Sequence, residues 1–203
     1  MSNSERKICV GITGASGAIY AVRTVAALLE HGCRVELIVS DIGRRLIREE
    51  LGSNLSVENL FDFVCERYEL SVSSEMLVVH NNKNVGASIA SGSYLCDSMA
   101  IVPCSMKTLS GVAHGSSRNL MERAADVMLK EKRRLVLVPR ETPMSLPQLR
   151  NLVLCAESGA MVLPAMPAFY QKPKNLDDLA DFMAGKILSA LGMKHELYPA
   201  WMG

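Results

Sequence analysis

The sequence predicts a single α/β domain in which a parallel sheet carries helices on both faces. Short, fully apolar runs recur along the chain, amphipathic stretches of helical spacing lie between them, and glycines or prolines mark most of the joints. Strands that alternate with helices in this way imply a parallel sheet, and a parallel sheet needs cover on both sides.

The elements follow in order. Lys7–Ile12 reads as a buried strand, and Ala18–Glu30 has helical spacing with Gly32 as its stop. Arg34–Ser40 is a second strand. Asp41–Glu50 and Val57–Val64 read as helices, and Glu75–Val79 as a short strand. Met99–Pro103 and Arg134–Pro139 are strands of the fully buried kind, with a helix over Asn119–Lys132 between them. Leu146–Ser158 is a helix stopped at Gly159, Met161–Leu163 a last strand and Leu176–Leu191 a closing helix. Leu51–Asn84 has the weakest pattern. One domain is expected over residues 1–203, with a C-terminal tail from about residue 192.

Totals narrow the function. At 203 residues the chain can close one sizeable core, and 49% hydrophobic with 21% charged residues is a globular balance. A formal net charge of +1 provides no field to recruit nucleic acid or an anionic membrane. No apolar run approaches a membrane span, and the first residues lack an apolar signal core, so a cytoplasmic protein is expected. The six cysteines include no CxxC pair and the four histidines share no metal-type spacing; buried free thiols are the expectation.

In open parallel sheets, ligands bind beyond the carboxyl ends of the strands. The segments in that position are Thr13–Gly17, Ser40, Cys104–Thr108 and Arg140–Pro143, all rich in hydroxyls, glycine or charge. Gly11–Gly17 (GITGASG) turns from a strand into a helix. Its glycines admit a close ligand and the helix start offers free N–H groups, which suits a phosphate; a merely tight turn is the alternative. Ser105, Met106, Lys107 and Thr108 open a helix after a buried strand, where their hydroxyls and amides either bind a second polar edge of the ligand or simply cap. Arg123 and Lys130 stand seven residues apart on one helix side, able to grip a compact anion or to form a solvated flank. Arg140 and Glu141 form a charged pair at a strand mouth, a position suited to an anion ligand and a general acid or base.

Two motifs mislead. Asp41 at a strand end and the pair Tyr170/Lys174 imitate a short-chain reductase, but Pro173 inside the YxxxK spacing opposes the helix that such a pair needs. Asp177, Asp178 and Asp181 spell the DDxxD of magnesium-dependent prenyltransferases; the expectation is a helix start capped by Asn175 or Asp177.

Taken together, PCSMKTLSG (Pro103–Gly111), NLMERAADVMLKEKR (Asn119–Arg133), VPRETP (Val138–Pro143) and PAMPAFYQKP (Pro164–Pro173), with GITGASGAIYAVR from Gly11, resemble the UbiX-type flavin prenyltransferases. The resemblance spans nearly the whole chain and is weakest across Leu51–Asn84. It implies a Rossmann-like (flavodoxin-like) fold and a metal-independent transfer of dimethylallyl from dimethylallyl monophosphate to N5 and C6 of reduced FMN. Gly14, Ala15, Ser16, Ser40, Ser105, Met106, Lys107, Thr108 and Arg140 would hold FMN. Ser16, Arg123, Lys130, Glu141, Tyr170 and Lys186 would surround the substrate phosphate, Lys186 standing where the family usually has arginine. Glu141, Ser16 and Trp201 are the catalytic candidates, Glu141 as a proton acceptor and Trp201 as a π face for an allylic cation. The resemblance also implies a homo-oligomer, a dodecamer, whose subunits share the site, and a UbiD-type decarboxylase as recipient of the product. Two rivals are an FMN-dependent cysteine-type decarboxylase, for which only His80-Asn81 offers a weak match, and a non-enzymatic FMN carrier.

Overall fold

The computed structural model describes residues 6–199. Six strands form one parallel sheet: β1 (Lys7–Ile12), β2 (Arg34–Val39), β3 (Leu77–Asn81), β4 (Ser98–Cys104), β5 (Arg134–Pro139) and β6 (Met161–Val162), in the order β3-β2-β1-β4-β5-β6. The order runs outward both ways from the β1/β4 pair. Loops leaving these two strands therefore diverge, and a crevice opens at their carboxyl ends. This is the Rossmann-like, flavodoxin-like arrangement.

Alternation along the strands divides the core. Ile8, Val10 and Ile12 of β1 face one side with Val35, Leu37 and Val39 of β2, while Cys9 of β1 and Ile38 of β2 face the other. On the first side lie α1 (Ala18–Glu30), α2 (Asp41–Leu51), α3 (Leu60–Arg67) and α7 (Leu176–Ala190). The second side is covered by α4 (Met106–Ala113), α5 (Leu120–Lys130) and α6 (Leu146–Glu157). Leu37 and Ile38 are both fully buried. Each such side chain contributes about 1.5–3 kcal/mol of transfer free energy, so strands apolar on both faces are what a two-sided sheet selects.

Most expected boundaries hold within a residue or two; two segments in the weakly patterned stretch differ. The helix expected from Val57 starts at Leu60, because the Asn59 side chain accepts from the Ser56 N–H (2.7 Å) and closes a turn first. The strand expected at Glu75–Val79 lies at Leu77–Asn81, because Ser73 accepts from the Glu75 N–H (3.3 Å) and starts a short 3₁₀ turn.

Several helix starts are locally specified. Asn119 accepts from Glu122 N–H (3.0 Å) at α5, and Asn175 from Asp178 N–H (2.9 Å) at α7. Ser145 and Gln148 close a capping box at α6. The DDxxD string thus begins α7, and its carboxylates go separate ways. Asp177 pairs with Arg67 (2.7 Å), Asp178 accepts from Lys174 N–H, and Asp181 pairs with the buried Arg23 of α1. Residues 170–174 form no helix, and the YxxxK spacing has no helical meaning here.

Candidate active site

At the carboxyl ends of β1, β2 and β4 lies a cleft of about 430 Å³, bordered by Gly14, Ser40, Ile42, Ser105, Lys107 and Thr108, and by Asn82, Asn119, Met121 and Glu122. Two of its serines cap helices. Ser40 accepts from Gly43 N–H (3.0 Å) at α2; Ser105 accepts from Thr108 N–H (3.4 Å) at α4 and bonds the Thr108 hydroxyl (3.2 Å). Each helix start therefore points its positive end toward the cleft. Gly14 has to be small, since a Cβ there would lie 2.5 Å from the Ile42 side chain. Gly17 takes φ 113°, a left-handed value open to glycine.

The next strand adds the charged pair. Arg140 N–H donates to the Cys104 carbonyl (3.4 Å), and its side-chain Nε donates to the Ser16 carbonyl (3.2 Å), so the β5 end leans on the Gly14–Ser16 turn. Glu141 follows, half-buried, with Oε1 accepting from Thr142 N–H (3.1 Å). Ala15 and Met106 are 5% and 7% exposed; their side chains belong to the core, and only their backbones can serve a ligand.

The remaining expected residues lie elsewhere in the chain. Arg123 donates to the Ala90 carbonyl (3.2 Å) and pairs with Asp126 (2.9 Å); Lys130 pairs with Glu131 (3.1 Å). Both lie on α5, on the second side of the sheet. Tyr170 meets Phe182 edge-on at 6.2 Å, and Lys186 sits 5.7 Å over the same ring, on α7 and the first side. α5 lends Asn119, Met121 and Glu122 to the cleft, whereas Arg123, Lys130, Tyr170 and Lys186 are not among the residues that border it. Trp201 lies outside the described residues.

Larger hollows sit away from these strand mouths. One, of about 730 Å³, is bordered by Arg6, Lys132, Arg133 and Arg134. Another, of about 960 Å³, is bordered by His31, Lys194 and His195. Lys132 to Arg134 follow the carboxyl end of α5, where cations offset helix carbonyls. Size alone does not mark the site.

The flavoprotein family model matches residues 1–190. A flavin prenyltransferase UbiX of Halalkalibacterium halodurans is 47% identical over 197 residues, covering 95% of this chain and 91% of the relative. The chain belongs to the UbiX flavin prenyltransferase family. Among solved structures, AnUbiX (PadA1) in complex with FMN and dimethylallyl pyrophosphate matches with TM-score 0.88 at 36% identity, covering 98% of each chain. A dodecameric FMN-dependent Ubix-like decarboxylase from Escherichia coli O157:H7 matches with TM-score 0.85 at 36% identity, covering 97% of this chain and 100% of that one.

Within this family frame, three residues escaped sequence reasoning. Glu50, in the last turn of α2, accepts from Gly17 N–H (2.9 Å) and Ala18 N–H (2.8 Å). Two of the amides that the glycine turn would offer a phosphate thus already meet a carboxylate at the start of α1. The free polar edge of the loop is therefore Gly14–Ser16, and α4 supplies the other helix start at the cleft. The contact bridges 33 and 32 positions, so no local spacing could announce it. Glu122 and Asn82 were missed as well. Glu122 is 3% exposed and held by the Arg118 side chain (3.1 and 3.2 Å), while Asn82 accepts from Met121 N–H (3.0 Å). His80, the one cue toward a cysteine-type decarboxylase, donates from Nε2 to the buried Glu36 (2.6 Å) on β2.

Proposed function

We propose that this chain transfers a dimethylallyl group from dimethylallyl monophosphate to N5 and C6 of reduced FMN, without a metal ion. The observation that carries the reading is the cleft itself: two serine-capped helix starts and a glycine turn converge there, in a chain 36% identical over 98% of its length to one crystallised with FMN and a dimethylallyl donor. The residues present fit FMN. Gly14 leaves room where a Cβ would clash, Ser40, Ser105 and Thr108 carry hydroxyls, and Lys107 adds an exposed cation. Gly14–Ser16, Ser40, Ser105–Thr108 and Arg140 would hold the flavin.

Reduced FMN supplies the nucleophilic N5 and C6 to which the allyl carbons are joined. The protein has two tasks beyond binding. The first is to stabilise the phosphate released as the allylic C–O bond breaks, a role for Ser16, Arg123, Lys130, Tyr170 and Lys186 as fixed donors and charges. The second is to take the proton lost from C6. Glu141 suits this, since Thr142 holds Oε1 and leaves Oε2 to accept. Trp201 would offer a π face to the allylic cation.

Arg123 and Lys130 are tied on α5 to Ala90, Asp126 and Glu131, and Lys186 lies on α7 across the sheet, so neighbouring copies would help to bring these cations to one cleft. A dodecamer supplies such neighbours. The product would pass to a UbiD-type decarboxylase, in the cytoplasm. A single experiment tests the core of this. Protein is incubated anaerobically with reduced FMN and either dimethylallyl monophosphate or the diphosphate, in excess EDTA, and the released flavin is weighed by mass spectrometry. A flavin heavier by one dimethylallyl unit is expected from the monophosphate. Unchanged FMN in both arms, or product only when magnesium is restored, would overturn the reading.

A further inference from the structure

Thr13 follows directly after β1 and is 1% exposed. Its hydroxyl does two things at once. It donates to the Pro103 carbonyl (2.7 Å) and accepts from the Ser105 N–H (2.7 Å), while Thr13 N–H also reaches the Pro103 carbonyl (3.3 Å). The first partner is the penultimate residue of β4; the second is the cap of α4. Thr13 is itself joined covalently to Gly14. One buried oxygen therefore lies between the two stretches that would hold FMN, Gly14–Ser16 and Ser105–Thr108, which are some ninety positions apart in the chain.

We propose that Thr13 is a positioning residue for the flavin: it sets the spacing of the two binding stretches without touching the ligand. This rests on the flavin reading above. The chemistry is demanding. A site this closely packed needs a short group that both donates and accepts, which only a hydroxyl does well. Without it, the half-buried Ser105 N–H would be unpaired, and the cheapest relief is for the α4 start to move outward toward water. A flavin that must meet both stretches together then loses one of them. A threonine that merely filled the core would behave differently, since its loss would lower stability and leave the affinity of the folded protein unchanged.

The test compares wild type with Thr13→Ser, which keeps the hydroxyl, and Thr13→Val, which keeps the shape. FMN affinity is read by quenching of flavin fluorescence, thermal midpoint is read without FMN, and amide exchange at Ser105 is read by NMR in the flavin-free protein. Thr13→Val is expected to weaken FMN binding about tenfold or more, in line with an unpaired half-buried donor, and to speed Ser105 exchange; Thr13→Ser should stay near wild type in both. Should Thr13→Val fail to fold, Thr13→Cys, a weak donor of similar size, takes its place and should fall between the two. A folded Val or Cys variant with wild-type affinity and exchange overturns the inference. So does a Ser variant as weak as Val, which would show that any change at this packed position, rather than loss of the hydroxyl, weakens binding. A wild-type protein that takes up no FMN overturns the flavin reading itself, which the other outcomes leave standing.

Discussion

Glu141 shows how a single side chain acquires a chemical role from its surroundings. The β5 strand delivers it to the sheet mouth, Arg140 is fixed against Ser16 beside it, and Thr142 N–H occupies one carboxylate oxygen. Glu141→Gln keeps size and hydrogen bonding but removes basicity. FMN binding should survive, because Gly14, Ser40, Ser105 and Arg140 are untouched. Product formation should fall by about 10²–10⁴-fold, the range of a positioned general base. Product release measured by mass spectrometry against FMN titration separates the two. A Gln variant that forms product at the wild-type rate would leave the proton to the departing phosphate alone.

At the scale of elements, a buried acid joins β2, β3 and the segment before β4. Glu36 is 1% exposed and accepts from His80 Nε2 (2.6 Å), Tyr94 Oη (2.6 Å) and Arg34 Nε (3.2 Å). Burial pushes its pKa up, but the bonds from His80 and Tyr94 and the charges of His80 and Arg34 outweigh that, and the net direction is downward. Burial, and then the bond to Glu36, push Tyr94 up to about 12. A depressed carboxylate stabilises the fold above its ordinary value and stops doing so as pH falls through the lower, folded value. The thermal midpoint should therefore drop as pH falls below about 4.5. Glu36→Gln should lose that acid-side slope and about 1.5–3 kcal/mol at neutral pH, the worth of hydrogen bonds to a charged group. Parallel pH profiles of the two proteins that stay superimposed would remove Glu36 from the account.

The same scale shows what the sequence made legible. Apolar runs such as Arg134–Pro139 announced their strands because both faces are buried, leaving no competing pattern. β3 slipped by two residues because it lies at the sheet edge and is only half covered, so alternation there is weak and a serine-capped turn took its first residues. The cleft was legible from the strand-end rule, since Ser40, Ser105, Lys107 and Thr108 follow strands and border it, and Arg140 bonds the adjoining Ser16 carbonyl. Glu50 and Thr13 were not readable as partners of these groups, since only the folded β1/β4 and α1/α2 neighbourhoods bring them together.

At the scale of the whole molecule, α6 presents an unusual surface. Among its residues only Cys155 is fully buried, while Leu146, Leu149, Val153 and Leu154 are 58%, 46%, 56% and 38% exposed. Phe169 and Met166, in the segment that also carries Tyr170, are 72% and 69% exposed. Apolar side chains grouped in this way mark a contact surface, and a proposed dodecamer needs contacts that bring Arg123 and Lys130 of some copies toward the clefts of others. Val153→Asp places a charge in the middle of the α6 stripe. Protomer stability should change by less than about 0.5 kcal/mol, as for most exposed positions, whereas a charge buried without a partner in an interface costs several kcal/mol. The variant should therefore sediment as a smaller species. It should still take up FMN, because the expected flavin groups lie within one chain, yet form little prenylated product if, as proposed, the groups that would neutralise the leaving phosphate are supplied by neighbours. Sedimentation velocity, flavin titration and product mass on the same sample test all three points. A Val153→Asp protein that stays at full assembly size removes α6 from the interface; one that dissociates and still turns over at the wild-type rate shows that a single chain completes its own phosphate site.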